Sequence, residues 1–272
     1  MVDISEMKAS IRDRIKISSN DRIVYYYYKA DSIYWDNVWQ ETITHDYYKK
    51  YEQGDLDEFS TIFLKYLRKE NRILEAGCGN GRYVLALQSR GFLGTEGIEW
   101  GQKTVKLVKD RYPNLPIRTG DVTNLDVQDE YYDDYISLGV VEHRIDGPSP
   151  FLNEAFRVMK RGGYAIFVLP YINPCRKLKQ TLGFYNRSVP REFDFYQYAF
   201  SKKEFSEFLT KAGFTIVETK GLAGYYGMKE ELPALFLFLS KLHGGWRIAQ
   251  LIKNSSLIKL FSHTNCYVCQ KL

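Results

Sequence analysis

Several things are scarce in this 272-residue sequence, and each scarcity excludes something. No apolar stretch reaches the length of a membrane span. The opening "MVDISEMKASIRDRIK" contains acids and no apolar run, so it does not read as a secretory signal. Only four cysteines occur, and without such a signal they are expected as thiols in the cytoplasm rather than as disulfides. Glycine is nearly missing from the first 70 residues, where Gly54 stands alone. Acids are missing from residues 173–191 and again from 232–272. The net charge is nonetheless only +5, too mild to imply nucleic acid, and no nucleic-acid partner is expected.

What is present is an ordinary globular mixture, 44% apolar and 26% charged, with an unusual 22 tyrosines. A Tyr surplus suits partly wet pocket walls as well as cores. Residues 1–70 mix aromatics with charges, and "LDEFSTIFLKYLRK" repeats apolar residues at helical spacing, so this part is expected to be an N-terminal helical cap or lid. From residue 71 to 272 the rhythm changes. "RILEA", "GTEGIEW", "PIRTGDV", "YDDYISLGV" and "YAIFVLP" read as strands, separated by helical stretches such as "RYVLALQSR" and "GQKTVKLVKDRY". Such alternation predicts an α/β fold, with a mostly parallel sheet covered by helices on both faces. Ligands of such sheets bind beyond the carboxyl ends of the strands, so the loops there are the place to look. Beyond Pro170 the alternation weakens. Insertions are expected at about 173–197 and 228–262, with a capped helix from Ser201 and last strands "TIVETKGL" and "NCYVCQKL".

The loop "EAGCGNGRY" at 75–83 invites three readings. A Walker-type phosphate loop needs Gly-Lys-Ser/Thr, but Arg82 and Tyr83 follow the last glycine. A dinucleotide loop needs its third glycine at position 82; it stands at 81. The run "ILEAGCGNGRYVLAL" instead resembles the first motif of class I S-adenosylmethionine-dependent methyltransferases. The resemblance continues through "GIEW", "TGDV", "YYDDYISLGVVEHRIDGP" and "NEAFRVMKRGGYAIFVLP", from about residue 72 to 170. It implies a Rossmann-like, doubly wound sheet of seven strands and S-adenosylmethionine as cofactor. It further implies that Glu75 lies near the cofactor's cationic amino group and that Gly77, Cys78, Gly79 and Gly81 form the floor. The same resemblance implies that Glu99 takes the ribose hydroxyls, with Trp100 beside it. It implies too that Asp121 and the amide of Val122 meet the adenine and that Leu138 and Gly139, at the end of the fourth strand, line the cofactor site.

Methyl transfer is an in-line displacement at a sulfonium carbon, so the protein mainly aligns the reactants. An acceptor hydroxyl needs a base, and His143 in "VVEHR" is the candidate catalytic residue. Some quinone-modifying relatives hold a metal with E-x-x-E-H; Gly139 occupies the first of those positions here, so no metal is expected. Cys266 and Cys269 are three apart on an expected strand and face opposite ways, against a shared metal. Trp35, Trp39, Tyr25–Tyr28, Tyr171, Phe195, Tyr196 and Tyr198 are candidate pocket aromatics, since ring faces attract a sulfonium as they do other cations.

The acid-free stretches carry Arg176, Lys177, Lys179, Arg187 and Arg191, then Lys241, Arg247, Lys253, Lys259 and Lys271. They suggest an anionic or lipid-linked acceptor met at a membrane face, or else helices that simply bury an apolar side on the sheet. The expected function is methyl transfer to a small-molecule, lipid or sugar-type acceptor. The alternatives are a non-catalytic S-adenosylmethionine sensor and, more weakly, a nicotinamide-dependent oxidoreductase.

Overall fold

The computed structural model describes residues 14–27, 29–189, 191–241 and 255–272. Its elements in chain order are β1 (Ile15–Ser19), β2 (Arg22–Tyr27), α1 (Ser32–Gln40), α2 (His45–Glu52), α3 (Ser60–Tyr66), β3 (Ile73–Ala76), α4 (Arg82–Ser89), β4 (Thr95–Glu99), α5 (Gln102–Arg111), β5 (Ile117–Thr119) and β6 (Asp134–Leu138). There follow α6 (Ser149–Val158), β7 (Tyr164–Pro170), α7 (Pro174–Thr181), β8 (Asp194–Phe200), α8 (Lys202–Lys211), β9 (Phe214–Leu222), α9 (Gly224–Glu231), α10 (Pro233–Lys241) and β10 (Thr264–Lys271).

The expected α/β sheet is present. Seven strands lie in the order β5-β4-β3-β6-β7-β10-β9. The pairs β3–β4, β3–β6, β4–β5 and β6–β7 are parallel. Backbone bonds join Lys271 to Gly163 at one end and Tyr171 to His263 at the other, so β10 runs antiparallel to β7. The central strand "ILEA" is buried along its whole length, as a strand with both faces covered must be. Its hydrophobicity therefore runs without a period-two alternation.

The chain divides into two compact units. One comprises Ala30–Val168, Ser206–Thr219 and Tyr267–Leu272; the other comprises Met1–Lys29, Leu169–Phe205 and Lys220–Cys266. The expected helical cap at 1–70 is helical only from α1 onward among the described residues. Residues 15–27 instead form a hairpin, β1 with β2, which pairs antiparallel with β8 in a separate three-stranded sheet. Asn20 takes the left-handed conformation at the turn, φ +50°. Tyr25 is fully buried in this hairpin, and Tyr26 and Tyr27 are half-buried; Tyr28 lies outside the described residues.

The capped helix at Ser201 is realised by half. Ser201 Oγ accepts the Glu204 amide at 3.1 Å, but the Glu204 carboxylate pairs with Arg22 instead of turning back. The Ser201 amide donates to the Asp21 carbonyl at 2.7 Å.

The second unit also corrects the reading of the basic stretch. Arg176 is fully buried, not offered to an anionic acceptor. Its guanidinium donates to Glu230 at 2.7 Å, to Glu231 at 2.9 Å and to the carbonyls of Tyr171 and His263. Lys16 reaches Glu230 at 2.8 Å and Glu231 at 3.1 Å, and Lys179 reaches Glu231 at 2.9 Å. His263 Nδ1 lies 2.6 Å from Glu230. This cluster ties β1, α7, α9 and the start of β10 together. Burial alone would raise the Glu230 carboxyl, but His263, Arg176 and Lys16 hold it well below the usual range. Burial is likewise outweighed at Glu231, where Lys16 and Arg176 hold the pKa at about 2. Lys177, Arg187 and Arg191 remain solvent-facing, while Arg247 and Lys253 lie outside the described residues.

Candidate functional site

Strand β3 ends in the glycine loop, and α4 starts at its far side. Gly77 and Cys78 both donate backbone bonds to the Ile98 carbonyl on β4, at 2.8 and 3.0 Å. The glycines are needed for two local reasons. Gly77 and Gly79 have φ of +74° and +53°, where a side chain is strained. A Cβ would also come within 2.4 Å of Val140 at Gly77 and within 2.6 Å of the Trp39 indole at Gly79. From the other side, Tyr48 donates its hydroxyl to the Asn80 carbonyl at 2.6 Å, and Asn80 donates to Thr42 at 2.9 Å.

Glu99 closes β4 and is almost fully buried. One carboxylate oxygen accepts from the Gly79 amide at 2.8 Å and the other from the Gly101 amide at 2.9 Å. Burial raises its pKa, and the backbone donors of Gly101, Gly79 and Trp100 oppose the rise. Glu99 thus fastens the glycine loop to the start of α5 and still has acceptor capacity for a ligand.

A cavity of about 370 Å³ lies at this carboxyl edge of the sheet. Its walls include Gly77, Glu99, Trp100, Asp121, Val122, Leu138, Gly139 and His143. Eight of the twelve residues singled out in the sequence therefore converge on one space. The other four do not line it. Cys78 and Gly81 turn to a core with Val84, Val108, Leu115 and Ile117. Gly79 is covered by Trp39, and Glu75 is sealed beneath the loop.

Glu75 is nonetheless informative. Its Oε2 is buried without a hydrogen-bond partner. Burial pushes its pKa up to about 8, against the pull of Arg82 and of the Val84 amide. Glu142 is the same kind of group: fully enclosed, Oε2 unpartnered, pKa pushed by burial up to about 8. Its other oxygen lies 3.9 Å from His143 Nε2. Asp121 is solvent-facing, and its Oδ1 closes a turn by accepting from the Thr123 amide and hydroxyl, both at 2.8 Å.

The remaining wall comes from the N-terminal side of the same unit. Trp35 and Trp39 of α1 lie nearly parallel, 6.3 Å apart at 22°. The His143 ring stands edge-on to Trp35, centroids 4.9 Å apart. Both indoles line the cavity, as expected of them; the tyrosines at 25–27, Tyr171, Phe195, Tyr196 and Tyr198 do not. Asp36, between the two tryptophans, accepts from the Thr104 amide at 2.7 Å and the Thr104 hydroxyl at 2.8 Å. It caps α5 from another helix and fixes α1 over the loop. Sequence reasoning missed Asp36, and it also missed Arg144 and Phe151 in the wall. A signal for Arg144 existed, since it follows His143 in a loop already placed at the carboxyl edge.

These residues suit S-adenosylmethionine. A buried carboxyl with one unpartnered oxygen can attract a cationic amino group, the acids at the end of β4 and after β5 can take ribose and adenine donors, and the amides of Gly77, Cys78, Gly79 and Gly81 are bonded to Ile98, Glu99 and Cys78.

Residues 74–167 match the methyltransferase domain family. Over 173 residues the chain is 30% identical to a protein of Mycolicibacterium smegmatis named "Probable S-adenosylmethionine-dependent methyltransferase", a span of 64% of this chain and 60% of that protein. It is 29% identical over 109 residues to a tRNA (carboxymethyluridine(34)-5-O)-methyltransferase of Arabidopsis thaliana, 39% of this chain and 26% of that one. The matched spans thus leave two fifths or more of these relatives' own lengths uncovered. A solved SAM-dependent methyltransferase of Methanosarcina mazei shares the fold with a TM-score of 0.54 at 20% identity, covering 80% of this chain and 99% of that one. The glycine loop, the acids around the cavity and these likenesses agree: residues 74–167 form a methyltransferase domain with the class I, Rossmann-like fold, and its site suits S-adenosylmethionine as cofactor.

Proposed function

We propose that this chain transfers the methyl group of S-adenosylmethionine to a small-molecule, lipid or sugar-type acceptor by in-line displacement. The observation that carries the reading is the shared cavity. Gly77, Glu99, Asp121 and Val122 share its wall with His143 and the indoles of Trp35 and Trp39. In this reading Glu99 takes the cofactor's ribose hydroxyls, Asp121 with the Val122 amide its adenine, and Glu75, outside the cavity wall, attracts its amino group from beneath the loop. When the methyl carbon bonds to the acceptor, the carbon–sulfur electron pair stays on sulfur, which becomes neutral. His143 takes the proton of an acceptor hydroxyl. The indoles exclude water and face the sulfonium charge.

Calorimetric titration with S-adenosylhomocysteine and with NAD, followed by turnover assays on purified metabolites, tests this. Binding of S-adenosylhomocysteine with methyl transfer supports it. Binding without any turnover favours a sensor role, and binding of NAD alone overturns both.

A membrane-facing acceptor is the narrower version. Among the described residues no helix is long and apolar enough to cross a membrane. Leu178, Leu182 and Phe184 are well exposed on and after α7, beside Lys177 and Arg187. That pattern favours surface attachment to anionic lipid. Flotation with anionic but not neutral vesicles at low salt is the expected result; no flotation with either removes the membrane from the proposal.

A further inference from the structure

The formal charges on the cavity wall divide by the role of the residues that carry them. The acids, Glu99 and Asp121, are both among the lining residues assigned above to the cofactor. The rest of the wall has no acid. Its one formally charged group is Arg144, and its bulk is Trp35, Trp39 and Phe151, with Val140 and His143. Arg144 is solvent-accessible at the end of the same loop as His143, and its contact to Asp146 is loose, at 4.0 Å. An exposed pair at that distance contributes little and gives way readily to a better anion.

The shape of this wall is as selective as its charge. Trp35, Trp39 and the His143 ring, packed on one another, give this wall aromatic and largely apolar surface with few hydrogen-bonding groups. A polyhydroxylated acceptor seated there would lose hydrogen bonds to water without replacing them. A flat unsaturated ring would lose none and would gain offset or edge contacts. A guanidinium fork at the edge of such a surface suits a carboxylate, which it can meet with two parallel bonds.

We propose that the methyl acceptor is a planar aromatic compound carrying an anionic group, its ring laid against Trp35 and His143 and its anion held by Arg144. This rests on the methyl-transfer reading and narrows it, from small molecules, lipids and sugars to aromatic acids. The methylated atom is a ring hydroxyl in the simplest case: its oxygen bonds to the methyl carbon, the carbon–sulfur pair remains on sulfur, and the hydroxyl proton passes to His143.

The test uses the full chain. It is first titrated with S-adenosylhomocysteine alone, and failure at that step counts against the methyl-transfer reading itself. The loaded protein is then titrated with 4-hydroxybenzoate and 6-hydroxy-2-naphthoate, with their methyl esters, and with trans-4-hydroxycyclohexanecarboxylate, following tryptophan fluorescence and heat. The acids are expected to bind about tenfold or more tightly than their esters, the worth of one charge-assisted contact. 4-Hydroxybenzoate is expected to bind more tightly than the saturated acid. Arg144→Gln should erase the acid-over-ester preference while the ring preference stays. Trp35→Leu should do the reverse. The proposal is overturned if the loaded protein binds none of the aromatic acids, if esters bind as tightly as acids, or if the saturated acid matches its aromatic counterpart.

Discussion

Two pairs of buried glutamates divide this protein. Glu230 and Glu231, in the unit that holds the hairpin, are enclosed among Arg176, Lys16, Lys179 and His263. Their carboxyls are held low, Glu231 at about 2. Glu75 and Glu142, in the unit that holds the cavity, are as deeply buried, yet each has an oxygen with no partner. Their carboxyls are pushed up to about 8. Burial is equal in the two pairs, so the difference comes from what was supplied with it. Where the fold provides cations, a buried acid serves as structure. Where an oxygen is left without a hydrogen-bond partner, as on Glu75 and Glu142, the fold holds a polar cost that a ligand or a proton can relieve.

The largest expected effect breaks the satisfied pair. Arg176→Met leaves Glu230 and Glu231 with less compensation and is expected to lower unfolding free energy by about 3–5 kcal/mol. Urea denaturation measures this, and a loss below about 1 kcal/mol would erase the contrast drawn between the pairs.

A smaller effect appears in pH dependence, with opposite signs for the two pairs. Glu75 and Glu142 are raised on folding, so between about 4.5 and 8 the folded chain holds protons that the unfolded chain has released. Their contribution to stability is therefore lost as pH rises through that window. Glu231 is lowered from 4.5 to about 2, so its contribution is present above 4.5 and is lost as pH falls toward 2. Urea midpoints of the ligand-free protein at pH 5 and 8 should show a fall that shrinks in Glu75→Gln/Glu142→Gln. An equal fall in wild type and variant would show that these carboxyls are not the source.

The smallest effect concerns a proton. At pH 7 Glu75 is mostly protonated in the free protein, and an arriving cationic amino group favours its ionised form. Binding of S-adenosylhomocysteine should release up to about one proton, and Glu75→Gln should release none. Calorimetry in two buffers of unlike ionisation heat reads the difference. Proton uptake by the wild type would reverse the assignment of Glu75.

Much of the cavity was legible in the sequence because its residues sit at strand ends, where chain order and spatial order agree. Gly77, Glu99 and Asp121 each stand at or just beyond the carboxyl end of one of the parallel strands, so their separations in sequence carry information about their separations in space. The hairpin at 15–27 left a fainter trace. Ile15, Ile17 and Ile23 alternate around Asn20-Asp21, a short turn signal, but the Tyr run next to it hides the period. The partner of that hairpin, β8, comes more than 160 residues later. The ionic cluster was not legible at all. Lys16, Arg176, Glu230 and His263 meet only through tertiary packing, and in sequence Arg176 reads as one of a basic run.

Asp36 offers a last consequence, one of timing. The Thr104 amide belongs to the first turn of α5 and has no carbonyl of its own helix to bond, so its protection comes from a carboxylate on α1. Whenever α1 swings away from the glycine loop, that single N–H meets water. Its hydrogen-exchange rate is then a clock for the opening of the cavity, one that can be read with no substrate in hand, and it should slow when S-adenosylhomocysteine is bound.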